Sequence, residues 1–592
     1  MSNKKLSHCF LFALLNAIGI TGVISGLSFV DLNNLWAFKY HLFLIIQLNL
    51  IILPPMVVIN HFFCQKSARI VIVLFVALLT ILFYTDALVY SQYRFHLSIN
   101  VLRLFFSGGV NFDISVMLRF ALYFIGLIVL QLILLWGLLL MESSVAKKIT
   151  LVLLLLIGTA LITSFIFNNK GNNDALRKSF PLLWIPVHRT GNDASAFDFQ
   201  QLRQQINNST ANYPRHPINY ATAQPLNLLF VVIDAWRADD MNMITTPNVA
   251  AFADNSRVYK NHWSGGNGTP PGMFSLFYGL PEIYSSLFVK EGVRPLLLQR
   301  LAELNYQFLV YGSAALTSPV FRNGLFLGID HLRRYTPGDT PWLRDVQITK
   351  DFINHLDDRK PFFGLLFYDA AHGYSLPENS TPHFQPSWTA LDVLKLTPNA
   401  SSVEVHNLYR SALYNIDGLI GNVLTHLKNR KLLDNTIVII TADHGQEFND
   451  NKKNYWGHGS NFSRTQLQVP LVIHWPGKDK QQVLAKTLHY DISATLLKEF
   501  LHAQGKTDNY SSGHSLFEPI PNSEWMVATA YGECIAFISR DIIKVFYLDG
   551  TTETLNPHLD PISSGKTPPS LGALMASLTD YVKPSIDKAA VN

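Results

Sequence analysis

The chain has 592 residues, 48% hydrophobic and 15% charged, with a formal net charge of +5. A soluble protein carries about 25% charged residues, so this composition argues against a disordered chain and against an ordinary soluble enzyme. Residues 1–168 hold 10 Lys/Arg and 4 Asp/Glu. The basic surplus therefore lies in an apolar region, not on a folded face, and nucleic acid is set aside as a partner.

Five apolar runs come first, at about 9–30, 41–63, 69–90, 115–141 and 147–168. Each reaches the roughly 20 residues that a membrane-spanning helix needs. A cleaved signal peptide is a poorer account of the first run, because further apolar runs follow it and no small-residue cleavage site leads into soluble sequence. Lys4 and Lys5, Lys66 and Arg69, and Lys147 and Lys148 all fall on one side of this arrangement. The positive-inside tendency makes that side cytoplasmic, with Arg94 and Arg103 as exceptions on the outer side. Five spans then place everything after 168 outside the cytoplasm. Asp86 and Arg119, near the outer ends of the third and fourth spans, are expected to pair or to reach the interface.

Residues 169–225 read as an interfacial linker. Within it, Arg177, Lys178, His188 and Arg189 flank a run of large apolar residues. Basic and apolar side chains mixed in this way fit a lipid headgroup region, or equally a linker that packs on the domain below; these four are the candidate lipid-binding residues. The chain has three cysteines, and only Cys534 lies beyond the spans. That part is expected to rely on packing, without an internal disulfide.

From 226 the pattern changes. Leu226–Ile233 is a continuous β-branched and aromatic run that ends in Asp234, as a buried parallel strand would. Similar runs recur at 308–311, 362–368, 436–441 and 469–474, with helical stretches such as 295–305 and 402–429 between them. Alternation of this kind predicts an α/β layered domain over 226–505 with a mostly parallel central sheet. Residues 506–592 would complete it, with a strand near 542–547; no residue there is singled out for chemistry.

Ligands bind beyond the carboxyl ends of such strands. Three strand ends carry the right groups: Asp234, the pair Asp443 and His444, and Asp369 with His372. An Asp or His alone could be a cap or a core residue. Together they form the oxygen and imidazole set that a divalent cation takes. Thr269 follows the Gly-rich stretch Ser264-Gly-Gly-Asn-Gly268 and precedes Pro270. It is either a helix N-cap or a nucleophile at a helix start whose free N–H groups favour anions.

These segments resemble the alkaline-phosphatase/sulfatase superfamily. The motifs are Leu229-Phe-Val-Val-Ile-Asp234, the Gly-rich segment with Thr269, and Asn435-Thr-Ile-Val-Ile-Ile-Thr-Ala-Asp443-His444-Gly445-Gln446, followed by Val469–Gly477. The resemblance covers about 226–500. It implies that Asp234, Thr269, Asp443 and His444 bind a metal, with Thr269 as nucleophile and with His372 and His458 on the substrate side. Formylglycine sulfatases have Cys or Ser where this chain has Thr269, so the resemblance points away from ordinary sulfatase chemistry. It points toward the threonine-dependent enzymes of phosphorus esters, such as lipoteichoic-acid synthases and phosphoethanolamine transferases.

The five spans, the basic-apolar segment and Gly266-Asn-Gly-Thr269…Phe274-Ser-Leu-Phe-Tyr278-Gly279 also resemble the YejM/PbgA family of inner-membrane proteins. That likeness implies a Gram-negative inner-membrane location with a periplasmic domain. It implies lipid A, lipopolysaccharide or cardiolipin as lipid partners, and a regulatory membrane protein on the cytoplasmic side. Two functions are consistent with all of this. One is a metal-dependent hydrolase or transferase of phosphorus esters, holding one zinc or manganese, with magnesium as a third choice. The other is a non-catalytic lipid-binding regulator of lipopolysaccharide synthesis.

Overall fold

The computed structural model describes residues 3–27, 35–62, 65–93, 97, 114–166, 197–222, 225–521, 523–548, 550–563 and 569–584. Two compact units divide the chain, Met1–Asn192 and Asp193–Asn592. The candidate lipid-binding residues Arg177, Lys178, His188 and Arg189 lie outside the described residues.

Among its described residues the first unit has the helices α1 (Asn3–Leu27), α2 (Leu35–Phe62), α3 (Gln65–Tyr93), α4 (Ile114–Leu140) and α5 (Ser143–Ile166). Among the described residues, the stretches Ser67–Tyr90 and Ala121–Leu140 are long and apolar enough to cross a membrane, while His8–Ile24 and Leu44–Ile59 are shorter apolar stretches. On α4, Leu122, Ile133, Trp136 and Leu140 are each about 60% exposed or more. Such a continuous apolar face is unfavourable in water and matches lipid. Polar groups turn inward instead: Gln131 Nε2 donates to Asn16 Oδ1 at 2.5 Å between α4 and α1. Asp86 accepts from the Leu97 N–H at 2.6 Å. The Arg119 side chain, its expected partner, is outside what is described.

The second unit is built on one sheet. Its strands are β1 (Asn227–Ile233), β2 (Arg257–Trp263), β3 (Gln307–Gly312), β4 (Phe362–Tyr368), β5 (Thr436–Ala442), β6 (Leu471–His474) and β7 (Gln481–Leu488). Their order is β7-β2-β6-β5-β1-β4-β3, and the short strand Gln468–Val469 also pairs with β2. The block β5-β1-β4-β3 is parallel. Strand β6, however, runs antiparallel to both β5 and β2. The sheet is therefore mixed but mostly parallel: β6 is the reversed strand, and the other six run the same way. The run 469–474 follows β5 through loops and short turns without a long crossover helix, and a parallel return needs such a crossover.

Strand β1 is buried on both faces. Leu228, Phe230 and Val232 enter one core with Met273, Phe274 and Phe277. Leu229, Val231 and Ile233 enter the other, against Ile348, Phe352, Tyr409 and Leu413. Period-two alternation thus serves two layers, and each fully buried side chain of this size stabilises the fold by roughly 1.5–3 kcal/mol. The lower layer comes from α6 (Pro341–His355) and α7 (Ser402–Asn429). A separate antiparallel sheet follows, β8 (Met526–Ala530), β9 (Cys534–Ile538), β10 (Ile543–Tyr547) and β11 (Thr552–Leu555).

Candidate active site

Register places the acidic groups. Ile233 is opposite Tyr368 on β4 and opposite Ala442 on β5. The residues that follow, Asp234, Asp369 and Asp443, therefore leave three adjacent strands at one edge.

Thr269 arrives on a short helix, Thr269–Tyr278, that starts after Gly268 in extended backbone and ends at Gly279 with φ 67°. Pro270 and Pro271 fit the first turn, where no N–H partner is needed. The helix rests on the end of β5 through Gly272. A β-carbon there would lie 2.2 Å from the Asp443 carbonyl oxygen. Ser264 Oγ donates to the same carbonyl at 2.5 Å.

This contact brings the predicted ligands together. Thr269 Oγ1 lies 3.3 Å from Asp234 Oδ2 and 3.4 Å from His444 Nε2. His444 Nε2 is 3.5 Å from Asp234 Oδ1 and 3.4 Å from Asp443 Oδ2. His444 Nδ1 donates to the Gly445 carbonyl at 2.9 Å, which leaves the Nε2 lone pair facing the carboxylates. Asp443 Oδ1 accepts from the Ala235 and His444 N–H groups at 3.1 and 2.8 Å. Asp443 Oδ2 and Asp234 Oδ1 are buried with no hydrogen-bond partner.

Two orphaned carboxylate oxygens beside an imidazole lone pair are costly unless a cation meets them. Burial, reinforced by the neighbouring Asp443, pushes the Asp234 carboxyl well above the ordinary carboxylate range. Burial pulls His444 below its usual value, as a neutral imidazole ligand requires. The donor set Asp234, Asp443, His444 and Thr269 therefore fits a divalent metal.

Among the described residues a second three-ligand group, Asp234–Asp369–His372, shares Asp234. Both oxygens of Asp369 are already engaged there. One lies 3.1 Å from His372 Nδ1, and the other accepts from Arg344 Nη2 at 3.2 Å. The first group is the better cation site. Burial opposes the charged form of His372, but the Asp234 and Asp369 carboxylates prevail and push it up to about 10.

His458 completes the cluster, with ring centroids 4.1 Å from His444 and 5.1 Å from His372. Burial, together with its histidine neighbours, holds it well below the usual imidazole range.

Several supporting residues were not apparent from sequence. Gln446 Oε1 accepts from His458 Nδ1 at 3.1 Å, while Gln446 Nε2 donates to Tyr374 Oη at 2.8 Å. Asp345 on α6 accepts the Asp369 and Ala370 N–H groups at 2.9 Å each, and burial raises its carboxyl to about 7. The signal for Gln446 was its place two residues after His444; Asp345 gave none. The 506–592 part also reaches the site. Thr529 on β8 accepts from the Asn267 N–H at 3.3 Å and donates its own N–H to Gly265 at 3.0 Å.

The sulfatase family model matches residues 226–500. The inner membrane protein YejM of Salmonella typhimurium is 26% identical over 379 residues, which cover 63% of this chain and 58% of that protein. An uncharacterized protein of Haemophilus influenzae is 25% identical over 369 residues, covering 60% and 55%. The chain thus spans less than two thirds of the length of these relatives. Among solved structures, the integral membrane protein lipooligosaccharide phosphoethanolamine transferase A (EptA) from Neisseria meningitidis aligns with a TM-score of 0.52 at 14% identity, over 86% of this chain and 98% of that one. That likeness is one of fold. The chain is thus similar to the YejM inner membrane proteins, and its residues 226–500 match the sulfatase family model.

Proposed function

We propose that the protein is a membrane-anchored hydrolase or transferase of phosphorus esters that uses Thr269 as a metal-activated nucleophile. The observation that carries this reading is the approach of Thr269 Oγ1 to Asp234 and His444, at 3.3 and 3.4 Å, beside two carboxylate oxygens that have no other partner.

Asp234, Asp443 and His444 would hold the cation, with Thr269 as a further ligand. A divalent ion there, zinc or manganese with magnesium as a third choice, would supply Lewis acidity toward the threonine hydroxyl and the ester oxygens. Thr269 Oγ1 then gives its proton to Asp234 Oδ2, which accepts its hydrogen bond, and bonds to phosphorus as the bond to the leaving oxygen breaks; the leaving oxygen takes a proton from His372 or His458. In the second half, water or a lipid hydroxyl loses its proton to the same imidazole and attacks phosphorus, the bond to Thr269 breaks, and Thr269 Oγ1 takes its proton back from Asp234. The N–H groups at the start of the Thr269 helix favour the negative charge on the phosphoryl oxygens.

The placement that goes with this reading is an inner membrane with the catalytic domain on the periplasmic side, and a lipid-linked substrate. The four basic linker residues support lipid binding by their composition. A lipid-binding role linked to lipopolysaccharide homeostasis, with a cytoplasmic-side protein partner, is compatible with the enzyme reading.

The test is metal analysis of the purified full chain, followed by hydrolysis of a bis-aryl phosphate by wild type and Thr269→Ala. Bound divalent metal and turnover that vanishes in the variant support the proposal. Absence of metal, or equal turnover in the two proteins, removes it.

A further inference from the structure

The turn that joins β8 to β9 is strained. Tyr531 has φ 48°, a left-handed conformation that costs a bulky residue of order 1–3 kcal/mol and persists only where the surroundings impose it. Gly532 follows with φ 70°. The strain has a visible result: the Tyr531 ring is wedged between two loops of the site. A β-carbon on Gly268, the residue before the nucleophile, would lie 2.4 Å from Tyr531 Oη. A β-carbon on Gly459, the residue after His458, would lie 3.3 Å from Tyr531 Cε2. Glycine stands at both contacts, so the phenol approaches both backbones closely.

Two further contacts fix the turn. The strand before it is bridged to the nucleophile loop, Gly266 to Thr529. From the opposite side, Arg203 Nη1 donates to the Gly532 carbonyl. Arg203 belongs to the helix Phe199–Asn207. Just before that helix, Phe197 packs edge-on against Phe537 and Phe546, with centroids 5.3 and 4.8 Å away. The segment 197–207, the later part of the stretch read as a linker, is thus docked on the C-terminal sheet, and that sheet's first hairpin is docked on the Thr269 loop.

We propose that Tyr531 is a positioning residue. Its ring sets the spacing between the Thr269 loop and the His458 loop, and Arg203 holds it in place. The consequence for turnover rests on the reading of Thr269 as nucleophile; the consequence for loop order does not.

The strained backbone gives a discriminating test on the full chain in detergent. Tyr531→Gly relieves the unfavourable φ while removing the wedge, and Tyr531→Phe keeps both. Three quantities are measured for wild type, these two variants and Arg203→Ala. They are the thermal midpoint, amide exchange across 264–278, and kcat and KM for a bis-aryl phosphate, with metal content as control. Tyr531→Gly is expected to keep or raise the midpoint and to keep its metal. Its loop amides should exchange faster, and its kcat should fall about tenfold or more with KM nearly constant, because small misplacements of a reacting group cost rate steeply. Arg203→Ala should move in the same direction, and Tyr531→Phe should match wild type. Unchanged exchange in both Tyr531→Gly and Arg203→Ala overturns the inference, and so does a Tyr531→Phe variant as impaired as Tyr531→Gly. If wild type has no turnover but the exchange pattern is as expected, the nucleophile reading fails and the positioning role stands.

Discussion

Gly272 packs on Asp443 so closely that a β-carbon at position 272 would meet the Asp443 carbonyl oxygen at 2.2 Å. The contact sets the height of the Thr269 helix above the sheet edge. Backbone on one side and a helix on the other leave no flexible side chain to give way. Gly272→Ala should therefore destabilise the domain by about 1–3 kcal/mol and lower turnover by on the order of 100-fold through displacement of Thr269. Melting and steady-state kinetics on the same preparation check both. A variant with full turnover would show that the helix position does not matter.

Asp443 supplies one oxygen to two backbone N–H groups and keeps the other without a partner. Asp443→Asn preserves an acceptor for the N–H groups but removes the charge that faces His444. The fold should survive with a nearly unchanged circular dichroism spectrum. Metal affinity should drop by at least about 100-fold, as expected for loss of an ionised ligand against the milder 10–100-fold of an outer partner. Competition with a metal-sensitive dye measures it.

Gln446 bridges His458 and Tyr374. Its carbonyl oxygen fixes the proton on His458 Nδ1 and leaves a lone pair on Nε2, as the proposed acid–base role requires. Gln446→Leu removes the acceptor at similar volume. We expect a fall in kcat/KM of about 10- to 100-fold and a pH profile with an altered imidazole limb, since general acid–base groups contribute typically 10²–10⁴-fold. Metal content should stay at the wild-type level.

Glu282 is buried, and burial raises its carboxyl from 4.5 to about 6. Over that window the folded chain retains a proton that the unfolded chain releases. Raising the pH through the window therefore weakens the fold, and the contribution is flat above it. Replacing Glu282 by Gln removes this slope. The stability difference between wild type and variant should move in favour of the variant by about 2 kcal/mol between pH 4 and pH 7, at about 1.4 kcal/mol per pKa unit. Denaturant midpoints at several pH values would show it, and parallel curves for the two proteins would contradict it.

The carboxylates at the sheet edge were legible because each strand that carries one is a continuous apolar run closed by a polar residue: Ile233 before Asp234, Tyr368 before Asp369, Ala442 before Asp443. An unbroken run of that kind locates its own carboxyl end. The orientation of β6 was not legible in the same way, because Leu471–His474 looks alike in either direction and only the lack of a crossover helix after β5 decides it. Tyr531 and Arg203 were hidden for a different reason. Their roles depend on contacts between residues far apart in the chain, Arg203 with Gly532 and Tyr531 with Gly268, and no local pattern records them. Asp345 reads as an ordinary helix residue until α6 is laid beneath β4.

The in-register row of Asp234, Asp369 and Asp443 also bears on folding. Side chains alternate along a strand, so a slip of one residue between β1 and β5 would turn one carboxylate away from the other. A correctly aligned sheet and a complete set of the proposed ligands are then the same event. On the proposed metal site, chains misaligned by a single residue would fail to retain an ion, and a metal-affinity step would separate natively paired molecules from near-native ones of equal helix and strand content.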